Sequence, residues 1–352
     1  MSVIVVRPQA GGGLAAHVEQ ELAELAEAGL DVREAPVHIQ DRPRPLADLR
    51  TVRTLRRCVR TAPAPVAVHA HGLRAGALAA CAMPRGDDAH LVVTLHNRTV
   101  GSLPVRTLGA VLLRVLSRRA QIVLAVSPDL AEDARRAGAG EVRHAVIPAP
   151  EAPAPTGMAA PGPAPEPSVP IPGAGVATPD DTLEVLVVAR LAPQKGLDDL
   201  LDAAALLDRE AVRIRVAGDG PLHGRLSDRI RAEQLSVELL GRRQDVPALL
   251  ESADLVVSAA LWEGQPVSLQ EALRAGRAIV ATDAGGTRWV TAEAAQLVPS
   301  GDPVALAEAI SAHRDPERRR DAQARSRRRA RELPTARDMV RQLTEILVPP
   351  GR

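Results

Sequence analysis

Two stretches of alternating strand-like and helix-like pattern, separated by a segment that cannot pack, limit what this chain can fold into. The first stretch holds apolar runs at 3–6, 66–68, 91–95, 122–126 and 144–147. After the first run, Leu14, Val18, Leu22, Leu25 and Ala26 recur at helical spacing, and Gly29 supplies the stop. Residues 148–179 are rich in Pro, Ala and Gly without periodicity, and read as an extended linker. Pattern resumes at 184–188 and continues through 212–217, 237–240, 254–258 and 278–282, with helical segments between. Strands alternating with helices imply βαβ units and parallel sheets, an α/β class. At 352 residues, two domains are expected rather than one. The expected bounds are 1–149 and 182–333, joined by a linker at 150–181 and followed by a tail helix within 334–352.

Composition excludes several classes. The formal charge is +1, so the overall balance argues neither for nucleic acid nor for an acidic substrate. Arginines cluster at 53–60 and 318–331; each reads as a solvated helix face, with an anionic membrane surface as the sharper alternative. Cys58 and Cys81 lack disulfide-framework or metal spacing and read as buried free thiols of a reducing cytoplasm. Met1 leads straight into the first strand-like run, so no secretory leader is expected, and no apolar run reaches spanning length. Lys195 is the sole lysine among 44 basic residues, which marks a place where a compact ammonium is needed rather than a planar guanidinium.

The second stretch carries the chemistry. Arg190-Leu191-Ala192-Pro193-Gln194-Lys195-Gly196 lies between a strand and a helix. Ligands of open α/β sheets bind outside the carboxyl ends of strands, so Arg190 and Lys195 are placed to neutralise a diphosphate. Trp262-Glu263-Gly264-Gln265-Pro266-Val267 follows another strand, and Pro266 suits a helix start whose free N–H groups would face an anion. Glu263 then falls in the loop and Glu271 about a turn and a half into the helix. Beside a phosphate, two carboxylates make most sense as acceptors from sugar and ribose hydroxyls.

In order, these motifs closely resemble the retaining GT-B glycosyltransferases of family 4: A-R-L-x-P-Q-K-G, A-G-D-G-P, the Glu263-x7-Glu271 pair and A-T-D-A-G-G-T. Gly11-Gly12-Gly13 with His17-Val18, His69-Ala70-His71-Gly72, Thr94-Leu95-His96-Asn97 and Ala125-Val126-Ser127-Pro128 extend the likeness to the first stretch. The resemblance implies two Rossmann-like domains facing a cleft that closes around the donor, with the last helix packing back on the first domain. It implies transfer of a sugar from a nucleotide-sugar such as a UDP- or GDP-sugar to a glycan, glycolipid or small-molecule acceptor, with retention and without metal or other cofactor. Arg190 and Lys195 would bind the diphosphate, Glu271 the ribose, and Glu263 with Gly264, Pro266 and Val267 the sugar end. Gly12 and Gly13 would approach from across the cleft, and His96 would lie near the reacting sugar. Trp289 departs from the family pattern, which often has Glu there, as does Pro148-Ala149-Pro150 before the linker.

Three other readings compete. Gly11-x-Gly13-x-x-Ala16 with Glu34 fits a dinucleotide fingerprint, but four residues separate the strand from Gly11, whereas the fingerprint turns directly off it. His69, His71 and His96 could be zinc ligands, yet no Cys or Glu stands at ligand spacing, and they read better as polar strand ends. A non-catalytic nucleotide-sugar binder would have no reason to keep Arg190, Lys195, Glu263 and Glu271 together. A cytoplasmic enzyme is expected, with peripheral attachment at the inner membrane face as the alternative setting; no nucleic-acid partner is expected.

Overall fold

The computed structural model describes residues 2–9, 13–40, 43–84, 89–99, 102–149 and 182–347. The expected linker and the Gly11-Gly12 loop lie outside them. The first half runs β1 (Ser2–Val6), α1 (Gly13–Glu27), β2 (Asp31–Glu34), α2 (Pro45–Thr61), β3 (Val66–His71), α3 (Leu73–Ala82), β4 (Ala89–Leu95), α4 (Leu103–Ser117), β5 (Ile122–Ala125), α5 (Pro128–Arg136) and β6 (Val142–His144). The second runs β7 (Leu183–Val188), a 3-10 turn (Pro193–Lys195), α6 (Leu197–Leu206), β8 (Val212–Ala217), α7 (His223–Ala232), β9 (Val237–Gly241), α8 (Val246–Ser252) and β10 (Leu255–Ser258). It continues with α9 (Val267–Arg274), β11 (Ala278–Thr282), α10 (Thr287–Thr291), β12 (Gln296–Val298), α11 (Pro303–Ala312), α12 (Pro316–Ala330) and α13 (Ala336–Leu347).

Each half is a six-stranded sheet, ordered β2-β1-β3-β4-β5-β6 and β12-β11-β10-β7-β8-β9. Every named pairing is parallel. The fold is therefore α/β with two Rossmann-like units, and the strands are near-continuous apolar runs because helices bury both faces. Leu200, Leu306 and Ile310 pack on one face of the second sheet, and Leu249, Leu269 and Leu273 on the other.

Strand order decides where ligands can sit. In the second sheet β7 and β10 are neighbours although β8 and β9 intervene in sequence, so the chain reverses direction across the sheet there. The loops after β7 and β10 thus leave on opposite faces and open a crevice at their carboxyl ends. The first sheet has the same reversal between β1 and β3. Met339, Leu343, Ile346 and Leu347 of α13 are buried in the core of the first sheet, against α1, β3 and β4.

The cysteines are not the buried thiols expected: Cys58 is half-buried on α2 and Cys81 exposed near the end of α3, each off the face its helix buries. Two further differences from the sequence reading have plain causes. The last strand of the first sheet is Val142–His144, earlier than the expected 144–147. The apolar residues Ala145 and Ile147 are buried as a crossing segment instead. Strands β2 and β12 were not expected: Asp-Val-Arg-Glu and Gln-Leu-Val are short edge strands with too little apolar pattern to register.

Candidate active site

The crevice of the second sheet gathers the residues singled out above. After β7, the 3-10 turn ends at Lys195, and Gly196 follows with φ +60°. A Cβ at Gly196 would lie 1.9 Å from the Ala259 carbonyl oxygen, so only glycine lets this loop seat against the one after β10. That contact brings Lys195 Nζ onto Glu263 Oε1 as an ion pair. Arg190 is exposed at the mouth of the crevice, and its guanidinium has no hydrogen bond or ion pair among the described residues. Glu271 is half-buried on α9; burial raises its carboxyl above the ordinary value, opposed by Arg274. Buried Pro266 caps α9 in extended conformation, so Val267 opens the helix. The structure thus brings Lys195 into contact with Glu263, with Arg190 on the same strand-end rim and Gly264, Pro266, Val267 and Glu271 continuing into α9.

The two halves meet directly over this crevice. A Cβ on Gly264 would stand 2.7 Å from Val126 and 3.2 Å from the His96 carbonyl oxygen, and one on Gly286 would strike the Gly264 and Val126 carbonyls. Trp262 Nε1 donates to Asp129 at 2.8 Å, Gln265 Nε2 reaches His144 at 2.9 Å, and the Trp289 ring lies 4.0 Å from that of His144. Trp289, which departs from the family pattern, is therefore a seam residue here. Buried Gln270 donates to the Ile147 carbonyl at 2.9 Å and accepts from Ala149 N–H at 3.0 Å.

Across the seam stands a cluster of imidazoles. His69 and His71 end β3, His96 follows β4, and His17 and Glu21 face them from α1. His71 Nδ1 and His96 Nε2 are 3.1 Å apart. Burial lowers His17 to about 4 against the pull of Glu21, and burial with neighbouring imidazoles takes His96 well below its ordinary value. Sequence reasoning missed Glu21, and named His17 only within the motif after Gly11-Gly12-Gly13, without placing it beside the other histidines. The available signal was that they stand four apart on the apolar stripe of Leu14, Val18 and Leu25, and that charge at a core position needs partners. The absence of a Glu near the histidines, argued from spacing, is thereby corrected: α1 folds Glu21 onto β3.

One ligand atom each from His17, His71 and His96, or from Glu21, His69 and His71, lies within 4.8 Å of the others, so either set could be offered to a cation. The 2.6 Å between His69 Nδ1 and Glu21 Oε1 is hydrogen-bond spacing, below the ~3.3 Å between ligands of a tetrahedral zinc ion.

Comparison with known proteins now decides the family. A model described as glycosyl transferases group 1 matches residues 182–313, and one described as glycosyl transferase 4-like domain matches residues 1–150. The chain belongs to the family 4 glycosyltransferases. The putative colanic acid biosynthesis glycosyltransferase WcaL of Escherichia coli is 35% identical over 151 residues, 39% of this chain and 37% of that protein. An N-acetylgalactosaminyltransferase of Campylobacter jejuni named for a diphospho-undecaprenol substrate is 34% identical over 104 residues, 29% of this chain and 27% of that protein. The chain thus aligns with between about a quarter and a little over a third of these curated relatives' length. Among solved structures, sucrose-phosphate synthase from Thermosynechococcus elongatus superposes with a TM-score of 0.75 at 19% identity, covering 98% of this chain and 97% of that one. Anabaena HepE in complex with UDP gives 0.71 at 19%, covering 98% and 99%. Such likeness fixes the fold of this glycosyltransferase as GT-B.

Proposed function

We propose that this glycosyltransferase moves a sugar from a nucleotide-sugar onto an acceptor held by the first domain, with retention and without a metal. The observation that carries the reading is the crevice at the β7–β10 reversal, where Lys195 pairs with Glu263 while exposed Arg190 follows β7 and half-buried Glu271 sits on the helix after β10. Lys195 and Arg190 bind the diphosphate and stabilise the charge that develops as it leaves, a role that needs preorganised cations rather than a metal. Glu271 accepts from the ribose hydroxyls and Glu263 from the sugar, so that Lys195 is shared between Glu263 and phosphate once donor is bound. Gly264, Pro266 and Val267 line the sugar end, and His96 faces the sugar from the first domain. The acceptor oxygen attacks from the face the diphosphate leaves, the departing phosphate taking its proton. Closure over the seam excludes the water that would otherwise hydrolyse the donor. HepE has been solved with UDP and with UDP-glucose, which supports a UDP-sugar donor here. Thermal-shift measurement against UDP-, GDP- and ADP-sugars tests the reading, since a bound donor raises the melting temperature. No shift with any of them would contradict it.

The acceptor side favours a lipid-linked substrate at an anionic membrane surface. No helix among the described residues is long and apolar enough to cross a membrane. Yet Leu46 and Leu49 on α2, and Leu103, Val105, Leu108 and Val111 on α4, are exposed, Leu46 and Leu103 by about three quarters. Helix α3 packs against both, and exposed Arg50, Arg53, Arg57, Arg106 and Arg114 stand among these apolar side chains. Exposed apolar residues ringed by arginine suit the headgroup boundary of an anionic bilayer. The arginines of α12 are partly spent inside the protein, where Arg329 donates to the Val290 and Trp289 carbonyls. Sedimentation with phosphatidylglycerol vesicles, compared with neutral ones, tests this placement; equal partition into both would contradict it.

A further inference from the structure

Among the described residues Glu21 is the only carboxylic side chain that is fully buried. It stands on the stripe of α1 that carries Val18 and Leu25, where an apolar residue would pack without taking a charge out of water. Its two oxygens face different imidazoles. Oε1 accepts from Nδ1–H of His69 at 2.6 Å, and Nε2 of that ring lies 2.7 Å from Thr94 Oγ1. Oε2 has no hydrogen-bond partner and faces two imidazoles, His71 Nε2 at 3.5 Å and His17 Nε2 at 3.7 Å; the His71 nitrogen has no hydrogen-bond partner either.

A bare nitrogen lone pair turned on a carboxylate oxygen in a dry site is repulsive, so the His71 proton belongs on Nε2. That leaves His71 Nδ1 as an acceptor. His96 Nε2, 3.1 Å away, can then only donate to it, and the His96 lone pair resides on Nδ1. We infer that Glu21 is a positioning residue which, through His71, fixes the tautomer of His96 and keeps its Nδ1 a hydrogen-bond acceptor. The electrostatics agree. Burial pushes Glu21 up, but His69 and His71 outweigh it and hold the carboxyl well below its ordinary value. Burial, with neighbouring imidazoles, lowers His71 and His96, so both rings are neutral near pH 7 and tautomer is the property left to set. An acceptor at Nδ1 suits a ring that orients a sugar hydroxyl. This consequence rests on the proposed function; the tautomer does not.

The test uses the full chain with its nine histidines labelled with nitrogen-15 and two-bond proton–nitrogen spectra at pH 7.5, His96 being assigned by its loss in His96→Gln. The expected pattern is a proton on Nε2 of His71 and His96 and on Nδ1 of His69. A wild-type His96 protonated on Nδ1 overturns the inference. In Glu21→Leu, His71 and His96 should divide between both tautomers, and transfer should fall about tenfold in kcat with donor KM unchanged. A lower melting temperature with unaltered tautomers would make Glu21 merely structural and overturn it too. In Glu21→Gln, one amide offers a single acceptor where the carboxylate offered two, so at least one of His69, His71 and His96 must change tautomer. No change at any of the three overturns the inference. Absence of transfer with every donor would instead count against the proposed function, because the spectra need no sugar.

Discussion

The histidine cluster makes the fold sensitive to acid, and His17 shows by how much. Burial, aided by His71 and His69 and opposed by Glu21, takes its imidazole from an ordinary 6.5 to about 4. The unfolded chain therefore binds this proton at pH values where the folded chain does not. Stability is complete above 6.5 and is lost as pH falls toward 4. At about 1.4 kcal/mol for each tenfold in proton activity, the loss from this ring approaches about 3 kcal/mol, of which about 2 kcal/mol is gone by pH 5. His71 and His96 are held down by the same burial and add to the slope. Urea unfolding at pH 7.5, 6 and 5, on wild type and His17→Leu, measures the contribution. The wild type should lose about 2 kcal/mol more than the variant between pH 7.5 and 5, while the variant keeps a residual dependence from the other two rings. Parallel pH dependences in the two proteins would refute the reasoning.

Other expectations are as direct. Gln270→Leu keeps the volume of a buried side chain but strands the Ile147 carbonyl and the Ala149 N–H at the seam, so it should cost about 3 kcal/mol in urea unfolding; a loss below about 0.5 kcal/mol would contradict the seam. His96→Ala should leave donor affinity by calorimetry nearly intact while sharply lowering the transfer rate; equal losses in both would place His96 in uniform binding. Transfer should survive EDTA, and activity abolished by chelation and restored by manganese would contradict reliance on Arg190 and Lys195.

Much of this was legible in the sequence, because strands buried on both faces announce themselves as apolar runs and because a strand-end site needs unusual residues in its loops. The lone lysine, the Glu263–Glu271 spacing and Pro266 each pointed at the crevice that β7 and β10 form. The seam was not legible. Trp262 with Asp129, and Gln270 with Ile147, pair residues more than a hundred positions apart, and no local period encodes such partners. Glu21 was hidden for a related reason. Helical spacing placed it on the inner face of α1, but only β3 folding beneath that face supplies the imidazoles that make a buried carboxylate tolerable.

The proposed donor site lies at the carboxyl edge of the second sheet. Calorimetric titration of wild type, Lys195→Ala and Glu271→Ala with the nucleotide-sugar that gives the largest thermal shift tests it most directly. Both side chains lie at the crevice edge, so both variants should remain folded. Each should bind about 10- to 100-fold more weakly, the loss of a charge-assisted hydrogen bond of about 1.5–3 kcal/mol. Wild-type donor affinity in both variants would place the nucleotide elsewhere and contradict the account.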